Sequence, residues 1–233
     1  MENALNALAG EHTSILAFDC EFWHVGDTFL PREVGGYHLT KKGSTWSQSK
    51  FLAILPAPRN QLNRISSKYS TTTAKTAKLL DSIEKAEHSS PEDFIRDQGL
   101  EAYMSDPLVK PHLKPISWLK QFVEKMAHSV VVVKGDTDLK AIKSACLRNK
   151  FAYHPPLKVI DIARYNRKFT QRCKTARLEG TYTCISHEVG STLKKSFPVG
   201  RAHNPVTDAA MTLQIAIWLN KKRSKNRTRR GRL

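Results

Sequence analysis

Four valines in a row, Val130–Val133, constrain this chain more than any other stretch. A run so short and so uniformly apolar has no polar face to give to solvent. It suits a strand covered on both sides in the middle of a parallel sheet. Helical patterns flank it. Residues 115–127 (PISWLKQFVEKMA) place Ile116, Leu119, Phe122, Val123 and Met126 on one helical face, and residues 137–149 read as a second helix. Residues 157–162 (LKVIDI) then read as another strand. Alternation of this kind puts the second half of the chain in the α/β class.

Three strands come first. Residues 14–25 (SILAFDCEFWHV) are rich in β-branched and aromatic residues. Residues 33–39 (EVGGYHL) and 51–55 (FLAIL) follow, separated by a Lys-Lys-Gly-Ser turn region. The expected architecture is an antiparallel three-strand start within a mixed five-stranded sheet flanked by helices. Between Pro56 and Pro115 the chain turns polar, basic and Pro-punctuated, with helical patterns over 73–87 and 91–104. Residues 57–112 read as a largely helical insertion packed on the core domain, too short and polar for a core of its own. Residues 183–196 read as helical, although Gly190 weakens the pattern, and 205–220 as a strong helix with Pro205 near its start. The domain is placed at 1–220. Residues 221–233 form a basic tail whose composition predicts disorder in isolation.

Charge narrows the partners. The formal net charge is +17, and the tail alone contributes eight Lys or Arg and no acid. Such a surface attracts a polyanion, nucleic acid before an anionic membrane. From Val34 to Leu80 there are eight Lys or Arg and no Asp or Glu, and residues 164–177 add six more, again with no acid. The ordinary reading of any single run is a solvated face. The tail fits either a grip on substrate or a nuclear import signal. Cys20, Cys146, Cys173 and Cys184 form no CxxC pair and read as thiols of a reducing compartment. No segment approaches the roughly 18 apolar residues of a membrane span. MENALNALAGEH lacks the basic-then-apolar pattern of a secretory signal. The expected location is intracellular, cytoplasmic or nuclear, with no membrane and no protein partner.

The chemistry sits in three short motifs. In FDCEFW, strand alternation points Asp19 and Glu21 one way and Phe18, Cys20 and Phe22 the other. Two carboxylates side by side on an apolar strand repel each other, and a hard divalent cation such as Mg²⁺ or Mn²⁺ resolves the conflict. Two exposed acids at a strand end are the bland alternative. In VVVKGDTDLKAI, the valine strand turns at Gly135 into Asp136 and Asp138. One acid is expected to cap the following helix. Asp138, one step before apolar Leu139, is the acid expected to face a site, and Asp136 the cap. In RAHNPVTDAAMTLQIAIW, His203 precedes Asp208 by four intervening residues, with Asp208 in the first turn of an apolar helix. Ala209 and Ala210 let that helix lie close to a sheet. A lone His is more often structural, but one on a loop just before an inward-facing acid suits a mobile general base.

Asp-x-Glu on the first strand, an Asp after the fourth strand and His-x₄-Asp on the last helix resemble the DEDDh exonucleases of the ribonuclease H-like superfamily. The resemblance spans about residues 14–220. It implies a ribonuclease H-like fold in which Asp19, Glu21, Asp138 and Asp208 hold two Mg²⁺ or Mn²⁺ ions and His203 is the general base. The implied activity is 3′–5′ hydrolysis of single-stranded RNA or DNA with a free 3′ end, giving nucleoside 5′-monophosphates. Two departures stand out. Many relatives carry His-Asn-x-x-Phe-Asp where this chain has Val-Lys-Gly-Asp-Thr-Asp, and Phe22 and Trp23 replace Thr and a small residue. Phe22 and Trp23 either stack on the terminal base or complete the core. Lys41, Lys42, Lys50, the basic residues of 59–78, and Arg164, Arg167 and Lys168 are expected to guide the phosphate backbone. Gly35 and Gly36 in PREVGG fit either close approach by substrate or a bulge. The competing reading is a non-catalytic nucleic-acid-binding module on the same fold.

Overall fold

The computed structural model describes residues 1–25, 28–56, 107, 109–200 and 204–230. The two helical patterns expected within 57–112, and the basic residues of 59–78, lie outside the described residues. The strands β1 (Ser14–Val25), β2 (Thr28–Lys42) and β3 (Thr45–Ile54) form an antiparallel meander. Then β4 (Val130–Val133) pairs in parallel with β1, and β5 (Lys158–Asp161) in parallel with β4. The sheet order is β3-β2-β1-β4-β5, a mixed five-stranded α/β sheet. Both β2 and β3 outrun the expected 33–39 and 51–55. The extra residues of β3 are mostly polar, and only Trp46 is buried among residues 45–50, whereas β2 extends through the buried Leu30, Pro31 and Arg32. An edge strand that faces water on both sides loses the alternation by which sequence reveals a strand.

Seven α-helices surround the sheet among the described residues: α1 (Glu2–Ala9), α2 (Trp118–Ala127), α3 (Thr137–Arg148), α4 (Asn166–Cys173), α5 (Leu178–Ile185), α6 (Ser191–Ser196) and α7 (Pro205–Arg230). On one face, α2 and α3 cover Leu16, Phe18, Cys20, Val131 and Val133. On the other, α7, with α1, α4 and α5, covers Ile15, Ala17, Tyr37, Leu39 and Val132. The valine run is thus apolar because both of its faces are roofed. The same alternation along β1 turns Asp19 and Glu21 toward the α7 side.

Three expectations need correction. The single helix over 183–196 is broken: α5 ends at Ile185, a short 3₁₀ turn spans Ser186–Glu188, and Gly190 precedes α6. The last helix does not stop at 220 but runs through the basic tail to Arg230. Lys and Arg are good helix formers, the packed turns before them have already met the nucleation cost, and cations suit the negative end of the helix dipole. Finally, the four cysteines are not all thiols. Cys173 and Cys184 form a disulfide between the end of α4 and α5, while Cys20 and Cys146 are free and buried. That bond removes the support that cysteine usage lent to a reducing compartment. Among the described residues no helix is long and apolar enough to cross a membrane.

Candidate metal centre

The carboxyl ends of β1, β4 and β5 lie at one end of the sheet, where the acids converge. One carboxylate oxygen from each of Asp19, Glu21 and Asp208 lies within 4.8 Å of the others. Two of these come from alternate positions of β1 and the third from the first turn of α7. Getting a helix start that near a strand requires small residues. Asp19 pairs across the ladder with Gly35. A Cβ on Gly35 would stand 2.8 Å from Val206 Cγ2 and 2.9 Å from Val206 N. A Cβ on Gly36 would stand 2.1 Å from Ala17 O. These glycines therefore serve helix and strand packing. The β-bulge lies elsewhere, between Glu21 and Phe22, where Arg32 is the unpaired extra residue. Ala209 and Ala210, both fully buried, complete the close approach of α7.

The helix start is fixed locally. Asn204 Oδ1 accepts hydrogen bonds from the N–H groups of Val206 (3.0 Å) and Thr207 (3.3 Å), which makes it the N-cap, with Pro205 as first helical residue. His203 lies outside the described residues.

Asp138 enters from the α3 side and is buried at 5% exposure. The Cys20 N–H donates to its carboxylate, yet burial dominates and, with Asp208 nearby, pushes its pKa up to about 7. Burial also raises Asp19 well above the ordinary carboxylate range. Asp138, Asp208 and Glu21 add to the rise, and Lys134 opposes it. Asp136 behaves differently. It occupies the N-cap position of α3 but makes no capping hydrogen bond with its side chain. Instead it forms an exposed ion pair with Lys140 at 2.7 Å, and that hydrogen bond lowers its pKa. The expected cap is thus a surface pair, because an i, i+4 lysine competes for the carboxylate.

Several supporting residues gave little or no signal in the sequence. Asp161, at the end of β5, accepts from Gly135 N (2.7 Å) and Ala163 N (2.8 Å) through one oxygen. It thereby pins the turn that leads to Asp138, where Gly135 holds a positive φ of 92°. Lys134 is the cation acting on Asp19. Glu33 sits directly across the ladder from Glu21, and like charges so placed repel. The fully buried Arg32 offsets this through Nε–H···Oε1 at 3.2 Å to Glu33. An acid ending the LKVIDI strand was the one visible hint of Asp161.

The residues expected to bind substrate divide. Trp23 is fully buried and its indole N–H donates to Leu55 O at 3.3 Å, so it completes the core. Phe22 is partly buried and meets the 42% exposed Phe29 edge-on at 5.5 Å. Lys41 and Lys42 lie at the far end of β2, six and seven residues from Gly35, or roughly 20 Å from the carboxylates at about 3.3 Å per residue. They therefore stand apart from the carboxylate cluster. Lys50, opposite Tyr37 on β3, is also toward that end. Arg164, Arg167 and Lys168 follow β5 in the 3₁₀ turn and α4, exposed and at the carboxyl end of the sheet. No family model matches the chain, and no curated protein is significantly similar to it.

Oxygens of Asp19, Glu21 and Asp208 converge with Asp138 buried nearby, and burial together with mutual repulsion raises the pKa of Asp19 and Asp138. Neutralisation by divalent cations would remove that cost, and a donor set of carboxylates suits Mg²⁺ or Mn²⁺ better than zinc. The residues fit such ions.

Proposed function

We propose that this chain is a metal-dependent 3′–5′ exonuclease of the DEDDh type, with a ribonuclease H-like fold. The observation that carries the reading is the convergence of Asp19, Glu21 and Asp208 oxygens within 4.8 Å, with Asp138 buried beside them. The order of the sheet, an antiparallel meander followed by two parallel strands, is consistent with that fold. Asp19, Glu21, Asp138 and Asp208 would hold two Mg²⁺ or Mn²⁺ ions, which when bound supply Lewis-acid activation of water and stabilise charge on the leaving oxygen.

The chain's own residues do the rest. Asp161 and the Arg32–Glu33 pair fix the backbone that presents Asp138 and Glu21, so the donors are preorganised. Asn204 fixes the start of α7 and so aims Asp208. His203, one residue before that cap, would take the proton from the attacking water, a role that imidazole can fill near neutral pH. The P–O3′ bond of the last phosphodiester breaks, releasing a nucleoside 5′-monophosphate and leaving a new 3′-hydroxyl. Arg164, Arg167 and Lys168 border the carboxyl end and meet the backbone of a single-stranded RNA or DNA substrate without reading its sequence.

The test uses 5′-labelled single-stranded RNA and DNA of one sequence, with Mg²⁺ or Mn²⁺, an EDTA control and the His203→Ala protein. A metal-dependent ladder shortening from the 3′ end, absent in the variant, is expected. Undiminished binding with no cleavage of either strand would overturn the reading in favour of a binding module.

A further inference from the structure

Helix α7 joins two chemically different places. Asp208 lies in its first turn at the carboxylates, and its last residue is Arg230. At about 1.5 Å per residue, Lys221 stands roughly 20 Å and Arg230 roughly 33 Å along the axis from Asp208. The helix is anchored up to the point where its charge begins. Trp218 is buried, its indole N–H donates to Glu188 at 3.2 Å, and Lys222 pairs with Glu188 at 2.7 Å. From Lys221 to Arg230 there are seven Lys or Arg, no acid and no apolar residue. A helix that lies on a membrane or in a partner's groove needs an apolar stripe, and this segment has none. What remains is a polyanion held by Coulomb attraction and counterion release.

We infer that residues 221–230 form a second nucleic-acid contact, remote from the carboxylates, which takes the backbone upstream of the 3′ end. The choice of nucleic acid over another polyanion rests on the proposed exonuclease reading. A contact 20–33 Å from the site corresponds to about 6 to 10 base pairs of duplex at about 3.4 Å per step, and to fewer nucleotides of extended strand. The helix therefore makes affinity depend on substrate length.

The experiment measures Kd by fluorescence anisotropy, in EDTA and at fixed salt, for a series of oligothymidylates from 4 to 30 nucleotides. The intact protein is compared with the Arg223→Gln, Arg227→Gln, Arg229→Gln, Arg230→Gln variant, in which glutamine preserves helix propensity. Affinity of the intact protein is expected to step up once a strand spans the gap. The variant should lose that step, about tenfold or more on the 30-mer, and its salt slope there should fall by about 3 for four lost contacts. Retention of the step in the variant would overturn the inference and leave the segment as an address read by a protein. An equal loss at every length would also overturn it, by showing that the contact is not remote. Because no metal or cleavage is involved, a failure of the exonuclease reading would appear in the ladder assay and not here.

Discussion

The two ends of β1 solve the same problem in opposite ways. At its start, Ser14 Oγ lies 3.0 Å from His38 Nε2 and 2.7 Å from Ser129 Oγ, and Ser129 donates to Lys125 O at 2.6 Å. Because Ser129 spends its hydrogen on that carbonyl, Ser14 must donate to Ser129 and His38 must donate to Ser14. The chain of hydrogen bonds is closed, and burial, helped by Lys125, lowers the pKa of His38 and favours its neutral form. A histidine that donates to a serine is not acting as its base, so this end is structural although it pairs two residue types common in catalysis. At the other end, Asp19 and Glu21 face Asp208 and Asp138 with their charges in conflict. Satisfied polar groups stabilise a fold, whereas clustered like charges cost it stability, and such clusters are candidates for functional sites.

The largest expected effect breaks that contrast from the acidic end. Asp208→Asn or Glu21→Gln should reduce turnover by roughly a thousandfold or more, about 4 kcal/mol of barrier. The metal-free protein should meanwhile become more stable, since one repelling charge has gone. Activity within tenfold of wild type, or a lower unfolding midpoint without metal, would place these acids among ordinary structural groups.

Next comes the pH dependence of the metal-free protein. Asp138 has its pKa raised from 3.8 to about 7 in the folded state. The folded form thus holds the proton more tightly. Its contribution to stability is full below about pH 4 and is lost as pH rises through 7, by a few kcal/mol at most. Urea unfolding in EDTA should therefore show stability declining between pH 4 and 7, and Asp138→Asn should flatten the decline. Added Mn²⁺ should restore stability at pH 8 in proportion to its binding. A stability that rises over the same window would mean that the carboxylates are already neutralised by the protein.

Ser14→Ala tests the opposite end. It removes the hydroxyl between His38 and Ser129 and should cost about 1–3 kcal/mol, the range for a buried donor and acceptor left unmatched. Turnover measured well below the unfolding midpoint should stay at the wild-type level. A selective loss of turnover would show that the two ends are coupled through β1.

How much of this was legible in the sequence follows from what each residue needs in order to be recognised. The valine run, the amphipathic face of α2 and the shared direction of Asp19 and Glu21 depend on local periodicity, and local periodicity survives in a sequence. The choice of Asp138 over Asp136 rested on one neighbour, Leu139, and the burial of Asp138 against the exposure of Asp136 agrees with it. Asp161, Lys134 and the Arg32–Glu33 pair depend on which strands lie side by side, and no spacing along the chain encodes that. The Cys173–Cys184 bond depends on the turn between α4 and α5, where Lys174 adopts a left-handed conformation. The edge strand β3 was underestimated because solvent on both faces of its first half erases the pattern, and β2 because Pro31 and the bulge at Arg32 interrupt its alternation. The helical tail was missed because composition describes a segment alone, while this one grows from a helix already packed.

The smallest expected effect is also the sharpest check on the site's boundary. Asp136 and Asp138 are two residues apart, both acidic, and both near the start of α3. The side chain of Asp136 is 67% exposed and reaches Lys140, itself 73% exposed. Water screens such a pair, and the helix loses no capping bond when the carboxylate goes. Asp136→Ala should thus leave both the unfolding midpoint and the rate of 3′ shortening at wild-type values. Asp138→Ala, only half a turn away, should abolish shortening. Measured side by side under one metal concentration, the two variants locate the edge of the cluster to within two residues. An inactive Asp136→Ala beside an active Asp138→Ala would reverse their roles. It would mean that the start of α3 rearranges when the ions bind, turning the exposed acid inward and releasing the buried one.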